Sequence, residues 1–185
     1  MTTKKAASPS QVLDLVRVFD APLKAVFDAW TNPKHVATWW GPGDFTTTMK
    51  AWEARARGHI HLDMNAPDGA VYPMSGTFVE VTPPGKIVFK GAALDPKGKA
   101  IFEILNTISF EEVNGKTRLT LHTEVLWMGP DAAQYLEGQK AGWSQSLDRL
   151  GSSSPVAREV ADEFSLGNEG LLAAQRMGGL RRHLG

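Results

Sequence analysis

From Phe45 to Trp127 apolar and polar residues alternate with the two-residue period of a half-buried strand, and turn-forming residues cut the alternation at short intervals. The uncut stretches are residues 45–55, 59–65, 71–81, 86–94, 100–113 and 116–127. Between them stand Arg57-Gly58, Pro67-Asp68-Gly69, Pro83-Pro84-Gly85, Asp95-Pro96-Lys97-Gly98 and Asn114-Gly115. These residues preset φ, tolerate positive φ or bond their own backbone, which is what a tight reversal needs. Asn114-Gly115 is the sharpest of them, a two-residue hairpin turn. Connections this short cannot carry a crossover, so the six strands run antiparallel as a meander. A parallel α/β sheet is excluded.

The alternation also tells the two faces apart. Phe102, Ile104, Asn106, Ile108 and Phe110 share one face of their strand, against Ile101, Glu103, Leu105, Thr107 and Ser109. In the next strand Leu119, Leu121, Thr123, Val125 and Trp127 oppose Arg118, Thr120, His122 and Glu124. One face is apolar and needs a cover; the other can meet water.

The flanks supply that cover. Residues 12–19 are rich in branched side chains and read as a further strand. Asp20 stands where a helix N-cap would, with Pro22 in the first turn and Val26, Phe27 and Trp30 following at helical spacing. Asn32-Pro33 ends that helix and starts a second short one, before the aromatic turn Trp39-Trp40-Gly41-Pro42-Gly43. After the meander, Gly129-Pro130-Asp131 opens a long helix to about Leu150, with Leu136, Trp143, Leu147 and Leu150 on one stripe. The expected class is α+β, a seven-stranded antiparallel sheet curved around a C-terminal helix. Residues 1–11 read as a polar leader, 12–150 as the domain, and 151–185 as a linker with a weakly structured tail, since Gly151-Ser152-Ser153-Ser154-Pro155 breaks the pattern.

Several function classes fall away on composition. Twenty basic residues balance twenty acidic ones, which argues against a nucleic-acid surface and against a polybasic membrane anchor. No apolar run is long enough to span a bilayer, and the leader lacks the apolar stretch of a secretory signal, so the expected location is the cytoplasm. There is no cysteine, hence no disulfide, thiolate metal site or cysteine nucleophile. Neither a nucleophile elbow nor a phosphate-cradling or dinucleotide-binding glycine loop occurs, so no cofactor is expected. His59, His61 and Asp63 suggest a metal cluster, yet along a strand the first and last lie roughly 13 Å apart. Three ligands in a line cannot wrap an ion, and the expectation is a solvated face with no metal.

What remains is the space under the helix. One helix cannot cover six long strands, and the gap is expected to be an apolar pocket with few polar groups. From the sheet, Met64, Phe78, Phe89, Phe102, Asn106, Leu121, Thr123 and Trp127 should face it; Trp40, Trp143 and Leu147 should close it. Asn106 and Thr123 stand out, because a buried amide or hydroxyl needs a partner, which a structural water or a ligand could supply. Glu80 shares a face with Met74 and Phe78 if the alternation is unbroken. It would then be a carboxylate in an apolar pocket with a raised pKa, the one weak general-base candidate. In the opposite register it is a surface charge.

The local residues carry a resemblance. Arg17-Val18-Phe19-Asp20-Ala21-Pro22, Val26-Phe27-Asp28-Ala29-Trp30 and Trp39-Trp40-Gly41-Pro42 come in the order and spacing of an opening signature. Pro67-Asp68-Gly69, Gly76-Thr77-Phe78-Val79-Glu80-Val81, Pro83-Pro84-Gly85, Gly115-Lys116-Thr117-Arg118-Leu119-Thr120 and Gly142-Trp143 continue it. Over roughly residues 12 to 150 the chain resembles the activator of heat-shock-protein-90 ATPase homologue-like family, within the START-like (SRPBCC) superfamily. It departs at Arg57-Gly58, where that family usually has two glycines. The resemblance implies the helix-grip fold and a hydrophobic cavity, without a shared catalytic residue. A binding protein for a small hydrophobic or aromatic ligand is the leading expectation. A polyketide cyclase-like enzyme using the same cavity is the alternative, as is an interaction module whose partner is a chaperone or a second copy of the chain.

Overall fold

The computed structural model describes residues 12–153, and the expected tail from residue 154 onward lies outside the described residues, as does the leader. Strand β1 (Val12–Phe19) leads into helices α1 (Leu23–Thr31) and α2 (Pro33–Trp39). Then come β2 (Thr46–Trp52), β3 (His59–Asn65), β4 (Val71–Thr82), β5 (Lys86–Leu94), β6 (Ala100–Val113) and β7 (Lys116–Met128). Helices α3 (Ala133–Glu137) and α4 (Gln139–Ser152) follow. The seven strands form one antiparallel sheet in the order β1-β7-β6-β5-β4-β3-β2, the helix grip that the residue pattern implied. At the β6–β7 turn Asn114 and Gly115 have φ of 53° and 76°, the two positive values a type I′ turn requires.

The apolar face is buried as the alternation demands: Phe102, Ile104, Ile108 and Phe110 of β6 and Leu119 and Leu121 of β7 are all shielded from solvent. Five of the six tryptophans gather over this face. Trp30 stacks on Trp143 with ring centroids 6.0 Å apart and planes 18° apart, and Trp40 meets Trp143 edge-on at 5.1 Å. Trp39 and Trp52 complete the group, donating their indole N–H to the carbonyls of Ala29 and Trp30 at 3.0 and 2.9 Å. Such bonds let a large ring be buried without stranding its one polar atom.

Three details differ from the sequence reading. Pro22, extended at φ −61° and ψ 149°, takes the N-cap position of α1, while Asp20 is exposed beside Lys116. A proline presets φ and has no N–H to satisfy, so the helix starts without a side-chain cap. The expected single C-terminal helix is two, separated at Gly138. Leu136 and Tyr135 of α3 pack with Phe102 and Ile104, whereas Trp143, Leu147 and Leu150 of α4 join the main core. A glycine between them permits the change of course. Finally, Gly151 and Ser152 continue α4 rather than opening a linker. Among the described residues no helix is long and apolar enough to cross a membrane.

Strand β1 closes one edge of the sheet. On its outer face Asp14 lies directly across from His122 of β7, with Asp14 Oδ1 2.6 Å from the imidazole Nδ1. Glu124 stands 3.7 Å from the other ring nitrogen. The hydrogen bond to Asp14 raises the His122 pKa above its ordinary value, more than partial burial lowers it, and both carboxylates add to the rise. A raised histidine pKa means the contact stabilises the fold in acid, below the ordinary titration range of about 6.5, and fades as the pH climbs through the folded value. An NMR titration of the wild type should therefore give His122 a midpoint above the ordinary histidine value of about 6.5. Asp14→Asn should lower that midpoint, and an unchanged His122 midpoint in that variant would contradict the assignment.

Candidate functional site

Between the sheet and the two C-terminal helices lies a cavity of about 650 Å³. Its floor is Met64, Met74, Ala93, Phe102 and Ile104, from four neighbouring strands. Its roof is Tyr135, Gly138, Gly142, Trp143 and Ser146, and one side wall is the turn Trp40-Gly41-Pro42 with Phe45. The half-exposed Val71 and Tyr72 stand at its rim, where Phe45 and Tyr72 bring their rings to 5.8 Å. The cavity arises by subtraction. Gly138 and Gly142 remove side chains from the helical roof, and Ala93 leaves β5 short beneath them. A Cβ at Gly142 would find nothing nearer than Pro42 Cβ, 4.0 Å away.

Backbone carbonyls of the side wall converge on one cation. Arg149, in the last turn of α4, donates to the carbonyls of Gly41 and Phe45 at 3.0 Å each, to Thr38 at 3.1 Å and to Trp40 at 3.5 Å. The Thr47 hydroxyl also donates to the Trp40 carbonyl, at 2.8 Å. A planar guanidinium with its fixed fork of donors can hold several carbonyls at once, which an ammonium cannot do with the same geometry. The wall that carries Trp40 is thus tied to the helix that carries Trp143. At the other side of α4, Arg17 of β1 reaches Ser144 and Asp148.

Of the residues expected at the site, Trp40, Met64, Phe102 and Trp143 line the cavity. Phe78, Phe89, Leu121 and Leu147 are packed into the core behind it. Asn106 and Thr123 are fully buried and bonded to each other, the Thr123 hydroxyl donating to Asn106 Oδ1 at 2.7 Å. Trp127 lies elsewhere. A β-bulge shifts the β6–β7 register so that Ile104 pairs with Val125 but Glu103 with Trp127, which places Trp127 across from an outer-face residue and turns Met128 inward instead. An extra residue in one strand inverts the alternation beyond it.

The same device moves Glu80. Phe78 pairs with Phe89, but the next pair is Glu80 with Val88, leaving Val79 as the extra residue. Val81, not Glu80, then packs against the core. Glu80 sits on the outer face, 3.1 Å from Lys86 and accepting from Thr82 at 2.9 Å. Those two hydrogen bonds, Lys86 first, hold its carboxyl below the ordinary carboxylate range, the opposite of the raised pKa that a base in an apolar pocket would have. Its assignment as a general-base candidate is therefore corrected. His59 and His61 are exposed while Ile60 and Leu62 between them are buried, and Asp63 pairs with Lys50 at 2.7 Å. Among the described residues no three histidine or acidic side chains are placed to share an ion.

The sequence reading missed Phe45, Tyr72, Tyr135 and Arg149. Phe45 and Tyr72 sit beside turns, where strand alternation is least informative, and Arg149 acts through backbone atoms that no side-chain pattern marks. Gly142 on the inward side of α4, four residues after the break at Gly138, was a readable sign of a thinned face.

Residues 20–153 match the family model described as Activator of Hsp90 ATPase homolog 1-like protein. A comparison with curated proteins returned no match. Among solved structures, a protein from Chromobacterium violaceum is similar at TM-score 0.68 and 25% identity, over 77% of this chain and 95% of that one. A solution structure from Arthrobacter aurescens aligns at TM-score 0.71 and 20% identity, over 85% and 93% of the two chains. The AHSA1 protein from Silicibacter pomeroyi aligns at 0.66 and 23%, over 76% and 95%.

The role of Arg149 as a tie between α4 and the side wall has a direct consequence. Arg149→Lys keeps the charge and loses the fork, and it should lower stability by about 1–2 kcal/mol, as expected when carbonyls lose charged donors. Denaturant melts measure the loss, and hydrogen exchange should quicken in the Trp40–Phe45 turn more than in β6. Unchanged exchange there would show that the turn holds its shape without Arg149.

Proposed function

We propose, from the premise that the chain belongs to the Activator of Hsp90 ATPase homolog 1-like family, that it is a binding protein enclosing a small hydrophobic or aromatic ligand between sheet and C-terminal helices. The observation that carries this reading is the cavity itself: about 650 Å³ walled by aromatic rings, two methionines and aliphatic side chains. That volume lies within the range of drug-sized ligand sites, which are apolar with a few oriented polar groups. Flat rings at Trp40, Phe45, Tyr72, Phe102 and Trp143 suit an aromatic guest, and methionines adapt to its outline.

Binding is favoured over cyclase-like chemistry by the same walls. Proton transfer needs an ionisable group within hydrogen-bond reach of the substrate. Apart from the phenols of Tyr72 and Tyr135, Asp95 is the one ionisable group among the described lining residues, and its Oδ1 already accepts the backbone N–H groups of Lys97 and Lys99 at 2.8 and 2.9 Å. That arrangement belongs to the β5–β6 turn rather than to a substrate.

A cavity-filling variant tests the proposal. Gly142→Leu places a side chain in the roof and replaces glycine in a helix by a residue better suited to it by about 1 kcal/mol. The variant should melt no lower than the wild type yet lose most of its affinity for a neutral apolar fluorophore such as N-phenyl-1-naphthylamine. Wild-type binding should be saturable at one site per chain. Undiminished binding by a folded Gly142→Leu variant would sink the assignment of this cavity.

A further inference from the structure

One buried polar atom next to the floor of this cavity has no hydrogen-bond partner. Asn106 is 0% exposed, and while its Oδ1 accepts from Thr123, its Nδ2 makes no hydrogen bond. A buried donor left unpaired costs about 1–3 kcal/mol, so a side chain this deep is expected to meet an acceptor. Two positions along the same face of β6, Ile104 is a wall of the cavity, and Phe102 beyond it is another. Asn106 is therefore the next side chain inward from that floor.

A glycine stands beside it. On the neighbouring strand the residues of this face are Phe89, Gly91 and Ala93, and Gly91 presents no side chain. A Cβ at Gly91 would lie 3.8 Å from Asn106 Nδ2, with Ile104 Cγ1 and Phe89 Cε2 each 3.7 Å off and nothing closer. The missing methyl leaves a small gap beside the amide. The neighbours of that gap also decide what suits it. A buried water needs two to four polar partners, whereas the atoms nearest the Gly91 Cβ position besides Nδ2 are carbons of Ile104 and Phe89. A carbonyl oxygen carried in by an apolar molecule needs only the one donor.

We infer that Asn106 is the recognition group of the cavity, donating from Nδ2 to a neutral carbonyl oxygen at the inner tip of an aromatic or aliphatic ligand, and that the favoured ligands are apolar ketones, esters or quinones. This rests on the binding function proposed above. Neutrality follows from the walls: no lysine or arginine is among the described lining residues, and an unpaired carboxylate in an apolar pocket is far costlier to bury than a ketone. Thr123 is a positioning residue. Its hydroxyl occupies Oδ1 and so turns the amide's donor end toward the gap.

Three probes of one shape test this: naphthalene, 2-acetylnaphthalene and 2-naphthoate, titrated by tryptophan fluorescence, with affinities corrected for each probe's water–octanol partition. The wild type should prefer the ketone over the hydrocarbon by about tenfold, or 1.4 kcal/mol, and bind the carboxylate most weakly. Asn106→Leu should abolish the ketone preference while still binding naphthalene. In the wild type, the ketone but not naphthalene should shift the side-chain NH2 resonances of Asn106, a readout that does not depend on how the variant folds. Equal corrected affinities for ketone and hydrocarbon, with an unmoved amide resonance, would overturn the inference and leave the cavity reading standing. Naphthoate binding as tight as the ketone would overturn the neutral-ligand assignment, and failure of all three to bind would overturn both readings together.

Discussion

The contact on which the rest of the structure depends is the stack of Trp30 on Trp143. These two rings come from α1 and α4, elements more than a hundred residues apart in sequence, and lie 6.0 Å apart and nearly parallel. Trp40 meets both, edge-on, and also touches Trp52 of β2 and Phe89 of β5. Large aromatic faces bury much area for little conformational freedom, and edge-to-face pairs add to that burial. The cluster therefore fixes how high α4 rides above the sheet. Arg149 and Arg17 then fix its lateral position from the two sides.

From this spacing the cavity follows. Toward the Trp30 end, Leu147 and Leu150 reach the sheet and fill the interior. Toward the other end the tryptophans hold the helix up, while Gly138, Gly142 and Ala93 supply too little side chain to close the gap beneath. The glycine at 138 lets α3 swing to its own small cluster around Phe102. A pocket made in this way is largely pre-formed, so a guest need not order the walls that receive it, and less binding energy is lost to ordering. The walls are apolar, and the buried Asn106–Thr123 pair lies one same-face position beyond Ile104 of the floor.

How much of this could be read from the residues divides along a physical line. Alternation within a strand reports burial directly, so the strands, the apolar face and the hairpin at Asn114-Gly115 are all legible. Alternation across a bulge is not, because one unpaired residue inverts every position after it. Glu80 and Trp127 each follow such a residue, Val79 and Leu126: Trp127 was expected on the inner face and lies on the outer one for that reason, and for Glu80 the pattern left both faces open. The break at Gly138 was visible as a glycine but not as a change of direction, since the same residue is tolerated inside a continuous helix. The cavity was legible as a consequence of covering many strands with one helix. Its walls were only half legible, because Phe45, Tyr72 and Tyr135 enter it from turns and from a short helix whose placement is tertiary.

The central claim is that the space under α3 and α4 is a binding site, and where a guest sits decides it most directly. Isotope-filtered NOEs from a bound neutral naphthalene ligand to the methyl groups of the protein would locate that guest. The account predicts NOEs to Met64, Met74 and Ile104, the methyl-bearing floor of the cavity. Contacts confined to Val16, Val18 and Val79, which are exposed outside the grip, would contradict it.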